Sequence, residues 1–319
     1  MIMHRTDQTA AIRALRSAAP YIRMYKGKTF VIKAGGGVFG NAALTHSLIE
    51  QISILHYMGV RVVMVHGGGP QVTEVSDALG VKTQMVQGRR VTDEKSVEVA
   101  SMVLNGLINT RILAICRELD IQAVGISGVD AGLVQAHRRE PLRLEGSAEL
   151  VDFGLVGDID RIDTTALRNL LDHGYLPVVS PLSADARGTL LNINADTVAA
   201  AIGAALGAEK LILCTGTPGI LERLDDPGSL ISYTDLEGLQ RLRKSASINA
   251  GMLPKVRAIE NAITGGVRRV HVVSYSGPEG ILGEVFTNEG TGTLIVADIN
   301  ALPAHEQQSA PGDAHVLRT

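Results

Sequence analysis

The sequence predicts an α/β protein built on a helix-covered, mainly parallel sheet, and three observations predict it. Short β-branched runs alternate with longer stretches of helical periodicity, the pattern of repeated βαβ units. Aromatic residues are only 3% of the composition and Trp is absent, so the core has to be built from Val, Ile, Leu and Ala, as strands buried on both faces require. Several predicted strands run into glycines, and in open α/β sheets ligands bind beyond the carboxyl ends of the strands.

Taken in chain order, residues 7–24 form an amphipathic helix, with Ile12, Leu15, Ala19 and Ile22 at helical spacing. It precedes the first core strand, so it is either an arm that docks another subunit or a helix folded back on its own domain. Strands follow at 29–33, 60–66, 123–127, 175–180, 210–214 and 270–274. Helices are expected at 44–58, 70–79, 93–119, 164–172, 196–206 and 255–264. The polar end, rich in Pro, Gln and Ser, reads as a flexible tail. The expected organisation is therefore an arm at 1–27, a main domain at 28–299 and a tail at 300–319.

Composition narrows the function classes. A net charge of −3 with no clustered Lys and Arg gives no footprint for nucleic acid. Cys116 and Cys214 form no CxxC pair, so neither a metal site nor a disulfide framework is indicated, and both read as buried thiols in a reducing compartment. Arg13, Arg16 and Arg23 interrupt the only N-terminal stretch that could resemble a signal peptide, and the small-apolar run 197–208 is too short to span a bilayer. The expectation is a soluble, cytoplasmic protein that does not engage membranes.

Five segments carry chemistry. In the first, a strand ending at Lys33 enters Ala34-Gly35-Gly36-Gly37. Glycines let backbone N–H groups approach an anion, and Lys33 adds a positive charge; the lysine precedes the glycines, so this is not a P-loop, and GxGxxG is missing too. In the second, an apolar strand leads into His66-Gly67-Gly68-Gly69-Pro70, with Pro at a helix N1 position; the helix N-terminus suits a carboxylate or phosphate, while His66 reads as structural. The third is Gly88-Arg89-Arg90-Val91-Thr92-Asp93, where Thr92 or Asp93 caps a helix and one of the two arginines can fork onto a carboxylate. The fourth, Asn192-Ile193-Asn194-Ala195-Asp196, puts Asn192, Asn194 and Asp196 on one side of an extended segment, although Asp196 could simply cap the helix after it. The fifth, Asn249-Ala250-Gly251-Met252-Leu253-Pro254-Lys255, places Lys255 in the first turn of a helix, against the dipole, which a bound anion would explain.

In this order, and with a Gly157-Asp158-Ile159 turn between the third and fourth, the segments resemble the amino acid kinase family, in particular its acylglutamate branch. The resemblance covers residues 21–296. It implies a three-layer α/β/α sandwich whose lobes, about 28–185 and 186–299, hold the amino acid and the nucleotide. It also implies that ATP, with Mg²⁺ bound to it, phosphorylates the side-chain carboxylate of N-acetyl-L-glutamate for arginine biosynthesis. By motif position, Lys33 and Lys255 would stabilise the phosphoryl group in flight and Asp196 would orient them. Gly68, Gly69, Arg90 and Asn192 would bind the acylated amino acid, and Gly36 and Gly37, with Thr215, Gly216 and Gly219, the nucleotide. A carboxylate is ionised at neutral pH, so such a reaction needs positioning and charge neutralisation rather than a general base.

The chain departs from the family pattern at two places. Gly216 stands where the family usually has Asp, and Ser127-Gly128-Val129-Asp130 lacks the lysine of a related turn. The 7–24 helix resembles the arm that joins dimers into hexamers in arginine-inhibited members, and Glu284 falls in their effector signature, although Glu279 replaces a His common there. Two alternatives therefore accompany an active kinase: a catalytically silent, arginine-sensing domain, and the same chemistry on another acylated acid such as an aminoadipate derivative, which differs by one methylene.

Overall fold

A computed structural model describes residues 5–86, 89–143, 149–223, 225–244, 252–277, 279–287 and 290–301. The expected tail beyond 301, and the 249–251 part of the fifth segment, lie outside the described residues. The frame is an eight-stranded sheet of β1 (Thr29–Ala34), β2 (Arg61–His66), β3 (Ala123–Ser127), β4 (Leu176–Ser180), β5 (Lys210–Thr215), β6 (Tyr233–Asp235), β7 (Arg269–Ser274) and β8 (Thr293–Val296). Its order is β6-β8-β7-β5-β1-β2-β4-β3. All neighbours are parallel except β7 and β8, so the sheet is mainly parallel. β1 and β5 pair at its centre, joining strands from the two halves of the chain in one layer.

The helices in chain order are α1 (Arg5–Tyr25), α2 (Ala42–Tyr57), α3 (Gly69–Ala78), α4 (Glu94–Glu118), α5 (Thr165–Asp172), α6 (Ala195–Leu206), α7 (Leu236–Lys244), α8 (Leu253–Thr264) and α9 (Gly280–Phe286). Strand alternation decides which of them each side chain meets. Val31, Val63, Val65, Leu211, Leu213, Val270 and Val272 pack with α5, α6 and α8 in one core. Phe30, Ile32, Val62, Met64, Ile212, Cys214 and Val273 pack with α2, α4 and α9 in the other. This is the three-layer sandwich. Lys33 has the parity of Val31 and so emerges on the α6–α8 side, whereas Lys210, His66 and His271 emerge on the opposite one. Both cysteines are buried and free, and burial pushes their thiols up, to about 11 at Cys116 and about 12 at Cys214.

Each strand predicted from the sequence lies within one residue of its observed bounds. The predicted helices also form, with two corrections in this part of the chain. The 93–119 helix is not uniform: a π-helical stretch, Met102–Asn109, interrupts α4. The extra residue per turn re-phases the helix, so that Leu104 and Ile108 face Gly68 while the Asn109 amide reaches Val178 O at 3.0 Å. Gly157-Asp158-Ile159 is not a turn but the start of a strand, Gly157–Ile162, paired with Val134–Arg138 in a second sheet of four strands. Gly157 fits there because a side chain would press on Leu191 and Ile193. Among the described residues α4 is the one helix long and apolar enough to cross a membrane, but its Val97, Val103, Leu104, Ile108 and Ile112 are buried in the second core.

α1 lies at the edge. Its C-terminal turns are anchored by Tyr21 edge-on to Phe286 at 6.3 Å and Tyr25 edge-on to Phe30 at 5.2 Å. Farther out, Ile12 and Leu15 are 56% and 63% exposed, so the apolar stripe seen in the sequence is not folded back over that length.

Candidate active site

The carboxyl ends of β1 and β2 and the N-termini of α3, α6 and α8 converge. At their junction Asp196 Oδ1 accepts from both Lys33 Nζ, at 2.9 Å, and Lys255 Nζ, at 3.0 Å. The three side chains are about nine-tenths buried, at 9, 11 and 12% side-chain exposure for Lys33, Asp196 and Lys255. Burial pushes the Asp196 carboxyl up, but the two ammonium groups and their hydrogen bonds overcome it and hold the group at about 2. Burial and the neighbouring Lys33 charge lower the Lys255 ammonium, against the pull of Asp196.

The local reason Asp196 is available is its neighbour. Asn194, not Asp196, caps α6: its Oδ1 accepts from Asp196 N at 2.8 Å and Thr197 N at 3.2 Å. The Asp196 carboxylate is left to face β1 and α8. In the third segment Asp93 is the cap, accepting from Ser96 N at 2.8 Å, while Thr92 is buried in the backbone pairing with residues 153–155.

Beside the triad opens a cavity of about 600 Å³, lined by Lys33, Gly36, Gly67–Gly69, Arg90, Asn192 and Asp196 among others. Gly36 and Gly68 meet back to back: a side chain at Gly36 would strike Pro70 and the Gly68 Cα, and one at Gly68 would strike Ile108 and Leu104. Gln71 Nε2 donates to Gly36 O at 2.8 Å and ties the two glycine loops together. Gly69 faces open space. Arg90 is held by donating to Gly69 O at 3.1 Å and to Thr73 and Thr83 hydroxyls at 2.6 and 2.9 Å, so its guanidinium is fixed at the α3 N-terminus. Asn192 Nδ2 lies 3.5 Å from Thr92 Oγ1.

The sequence left the choice between the two arginines open; both line the cavity, together with Arg139 and Arg257, which sequence reasoning missed. Burial lowers the Arg89 guanidinium, and the Arg139 and Arg257 charges lower it further. Arg139 is held by a bidentate pair with Asp158, Nη2 donating to Oδ1 at 2.6 Å and Nε to Oδ2 at 3.1 Å. No local pattern marks Arg139, which reaches the cavity from the second sheet; Arg257 could have been found two residues after Lys255, in the same helix turn. The arrangement suits an anion, because helix N-termini, guanidinium groups and two ammonium groups gather at one cavity.

Gly37, Thr215, Gly216 and Gly219 lie outside this cavity, on the β5 side of β1. Thr215 Oγ1 bonds within its own loop, to Thr217 O at 2.8 Å. Gly219 is closely packed, because a side chain there would meet Thr293 Oγ1 and Leu230. Glu284 lies deep on the other face of the sheet. It accepts from His271 Nδ1 at 2.6 Å and from Thr291 N and Gly292 N at 2.6 and 2.9 Å, so both oxygens are committed to the fold. His66, read as structural, is fully buried and accepts from Asn109 Nδ2 at 3.1 Å.

Comparison with known proteins finds relatives over nearly the whole chain. The chain is 44% identical over 295 residues to the acetylglutamate kinase of Myxococcus xanthus, covering 91% of this chain and 96% of that one. It is 41% identical over 285 residues to the acetylglutamate kinase of Archaeoglobus fulgidus, covering 89 and 98%. Its fold matches N-acetylglutamate synthase from Neisseria gonorrhoeae complexed with coenzyme A and N-acetyl-glutamate, with a TM-score of 0.77 and 27% identity over 90% of this chain; this chain spans 63% of that one. Carbamate kinase from Giardia lamblia bound to AMP-PNP shares the fold at a TM-score of 0.60 and 18% identity. The sequence profile of the amino acid kinase family matches residues 28–274, and the chain belongs to the amino acid kinase family.

Proposed function

We propose that this protein phosphorylates the side-chain carboxylate of N-acetyl-L-glutamate with ATP, as a step of arginine biosynthesis in the cytoplasm. The observation that carries the reading is the buried Lys33–Asp196–Lys255 triad set between two glycine loops and an arginine-lined cavity. Near-full-length relatives that are acetylglutamate kinases support the choice of substrate.

In this reading Arg90 and Asn192 bind the acylated amino acid, and the N–H groups of Gly68 and Gly69 at the α3 N-terminus receive its anionic groups. Its reacting carboxylate is already ionised and attacks the γ-phosphorus in line, forming the acyl–oxygen–phosphorus link as the bond to ADP breaks. Lys33 and Lys255 lie where they can neutralise the equatorial oxygens, and Asp196 keeps two like charges in one place without spending either on solvent. Gly36, Gly37 and the loop with Thr215, Gly216 and Gly219 hold the nucleotide. Bound Mg²⁺ supplies further neutralisation of phosphate charge; among the described residues no three His, Cys, Asp or Glu side chains converge to hold it, so the nucleotide phosphates would be its principal ligands.

The test is release of ADP with N-acetylglutamate, ATP and Mg²⁺, the acyl phosphate being trapped by hydroxylamine. The expected result is trapped product that a Lys255→Ala variant does not form; wild-type chain no better than that variant would favour a silent, arginine-sensing domain. N-acetylaminoadipate assayed in parallel decides which acylated acid is preferred. The exposed stripe of α1 supports self-association into a homodimer or hexamer through that helix.

A further inference from the structure

The glycine at 216 has a structural counterpart. Tyr275 follows β7 directly, and its N–H donates to Thr215 O at 2.9 Å, fixing its backbone beside the 215–219 loop. Its half-buried phenol ring reaches back across the top of β5. A side chain at Gly216 would lie 3.1 Å from Tyr275 Oη and 3.6 Å from its Cζ. A side chain at Gly37 would collide with the same oxygen. Two glycines from different strands, one beyond β1 and one beyond β5, thus make room for one hydroxyl. That hydroxyl makes no hydrogen bond to the described residues, and neither do the N–H groups of Gly37, which it faces, and of Gly36, the residue before it.

We propose that Tyr275 is a nucleotide-contact residue: its hydroxyl donates to a phosphate oxygen of ATP, completing with the Gly36 and Gly37 N–H groups a three-donor cradle over β1. The inference rests on the reading that these glycines face the nucleotide. A carboxylate at 216 would accept hydrogen bonds and repel phosphate; a phenol over a glycine donates instead. Tyr275 therefore explains why the loop tolerates the loss of an acid at 216, and why a side chain regained at Gly216 would press on the tyrosine hydroxyl.

The experiment measures KM and kcat of the full chain for both substrates, and ATP affinity by titration calorimetry, for wild type, Tyr275→Phe, Gly216→Asp, and Gly216→Asp with Tyr275→Ala. Tyr275→Phe keeps the ring and its packing, so it should fold as the wild type does. It should raise the KM and Kd for ATP about tenfold, the effect of losing one hydrogen bond to a charged group. The KM for the acylated amino acid should stay unchanged, which a general loosening of the site would not spare. Gly216→Asp should weaken ATP binding, and removing the tyrosine ring in the double variant should recover part of the loss. Unchanged ATP affinity in Tyr275→Phe, or additive losses in the double variant, would overturn the proposal. If wild-type chain binds ATP but forms no acyl phosphate, the proposed reaction falls and calorimetry still decides Tyr275; if it binds no ATP, both fall.

Discussion

Asp196 holds two ammonium groups on a single buried oxygen, and the balance is one-sided: two positive charges depend on one negative. Asp196→Asn keeps the shape and removes that charge, leaving Lys33 and Lys255 to repel each other out of water. Breaking a buried pair in this way costs about 3–5 kcal/mol, read as a lower urea midpoint at pH 7. Misplacing both lysines should cut turnover by about a hundredfold or more in the hydroxylamine assay. The carboxyl is depressed, so its contribution to stability is complete above the ordinary carboxylate pKa and is lost as pH falls through about 2.

Two histidines act earlier in an acid titration. Burial lowers His66 and His271 to about 4 each, and at His271 the Lys210 charge adds to it. The contacts agree with neutral rings: Lys210 Nζ lies 2.9 Å from His271 Nε2, and Nδ1 faces Glu284. The unfolded chain binds these protons near 6.5 and the folded chain near 4, so stability should fall as pH drops between those values. Urea midpoints measured from pH 7 to 4.5 should show that fall; a flat profile would mean the rings are not held neutral.

At the scale of elements, the α3 N-terminus makes a contrast between adjacent glycines. Gly68 backs onto Leu104 and Ile108 of the π-helical stretch, so Gly68→Ala should overpack the contact, lowering the unfolding midpoint by an amount equivalent to about 1–3 kcal/mol. Gly69 faces open space, so Gly69→Ala should leave stability near that of wild type and raise the KM for the acylated amino acid instead. Thermal unfolding with substrate titration separates the two. If both variants lost stability equally, the packing account of Gly68 would be wrong.

At the scale of the whole molecule, α1 leaves Ile12 and Leu15 in solvent while Tyr21 and Tyr25 anchor its other end. Removing residues 1–17 should therefore lower the sedimenting mass without unfolding the sheet; an unchanged mass would place the subunit contact elsewhere. Lys210 lies 5.1 Å over the Tyr25 ring and, through His271, next to Glu284, so the end of α1 touches the buried chain of charges under β5 and β7. Feedback by arginine, expected from Glu284 and the arm, is checked by activity and melting temperature at saturating arginine. No change in either would remove it, as the closed hydrogen-bonding of Glu284 already makes its carboxylate a poor first contact.

Six of the eight strands of the main sheet and most helices were legible in the sequence because they depend on neighbours along the chain, whereas the triad was expected from the ordered set of motifs that resembles the family. Lys33 follows an apolar run, Pro70 and Pro254 mark helix starts, and alternation sends Lys33 to the face opposite Ile32. The short strands Tyr233–Asp235, at the sheet edge, and Thr293–Val296, beside it, were not legible, since three or four residues carry too little periodicity. Nor could local pattern decide whether Asp196 capped α6 or held lysines; Asn194 took the cap, and only the approach of β1 and α8 supplied the partners. The π-helical phase of α4 was settled by what it packs against, Gly68 and β4. Tyr275 meets Gly37 and Gly216 because the register of β1, β5 and β7 brings three distant loops to one point. By itself the sequence determined which residue types stand at each strand end. Tertiary structure alone decided which of them share an oxygen or a cavity, because sheet register fixes non-local distances that no local propensity encodes.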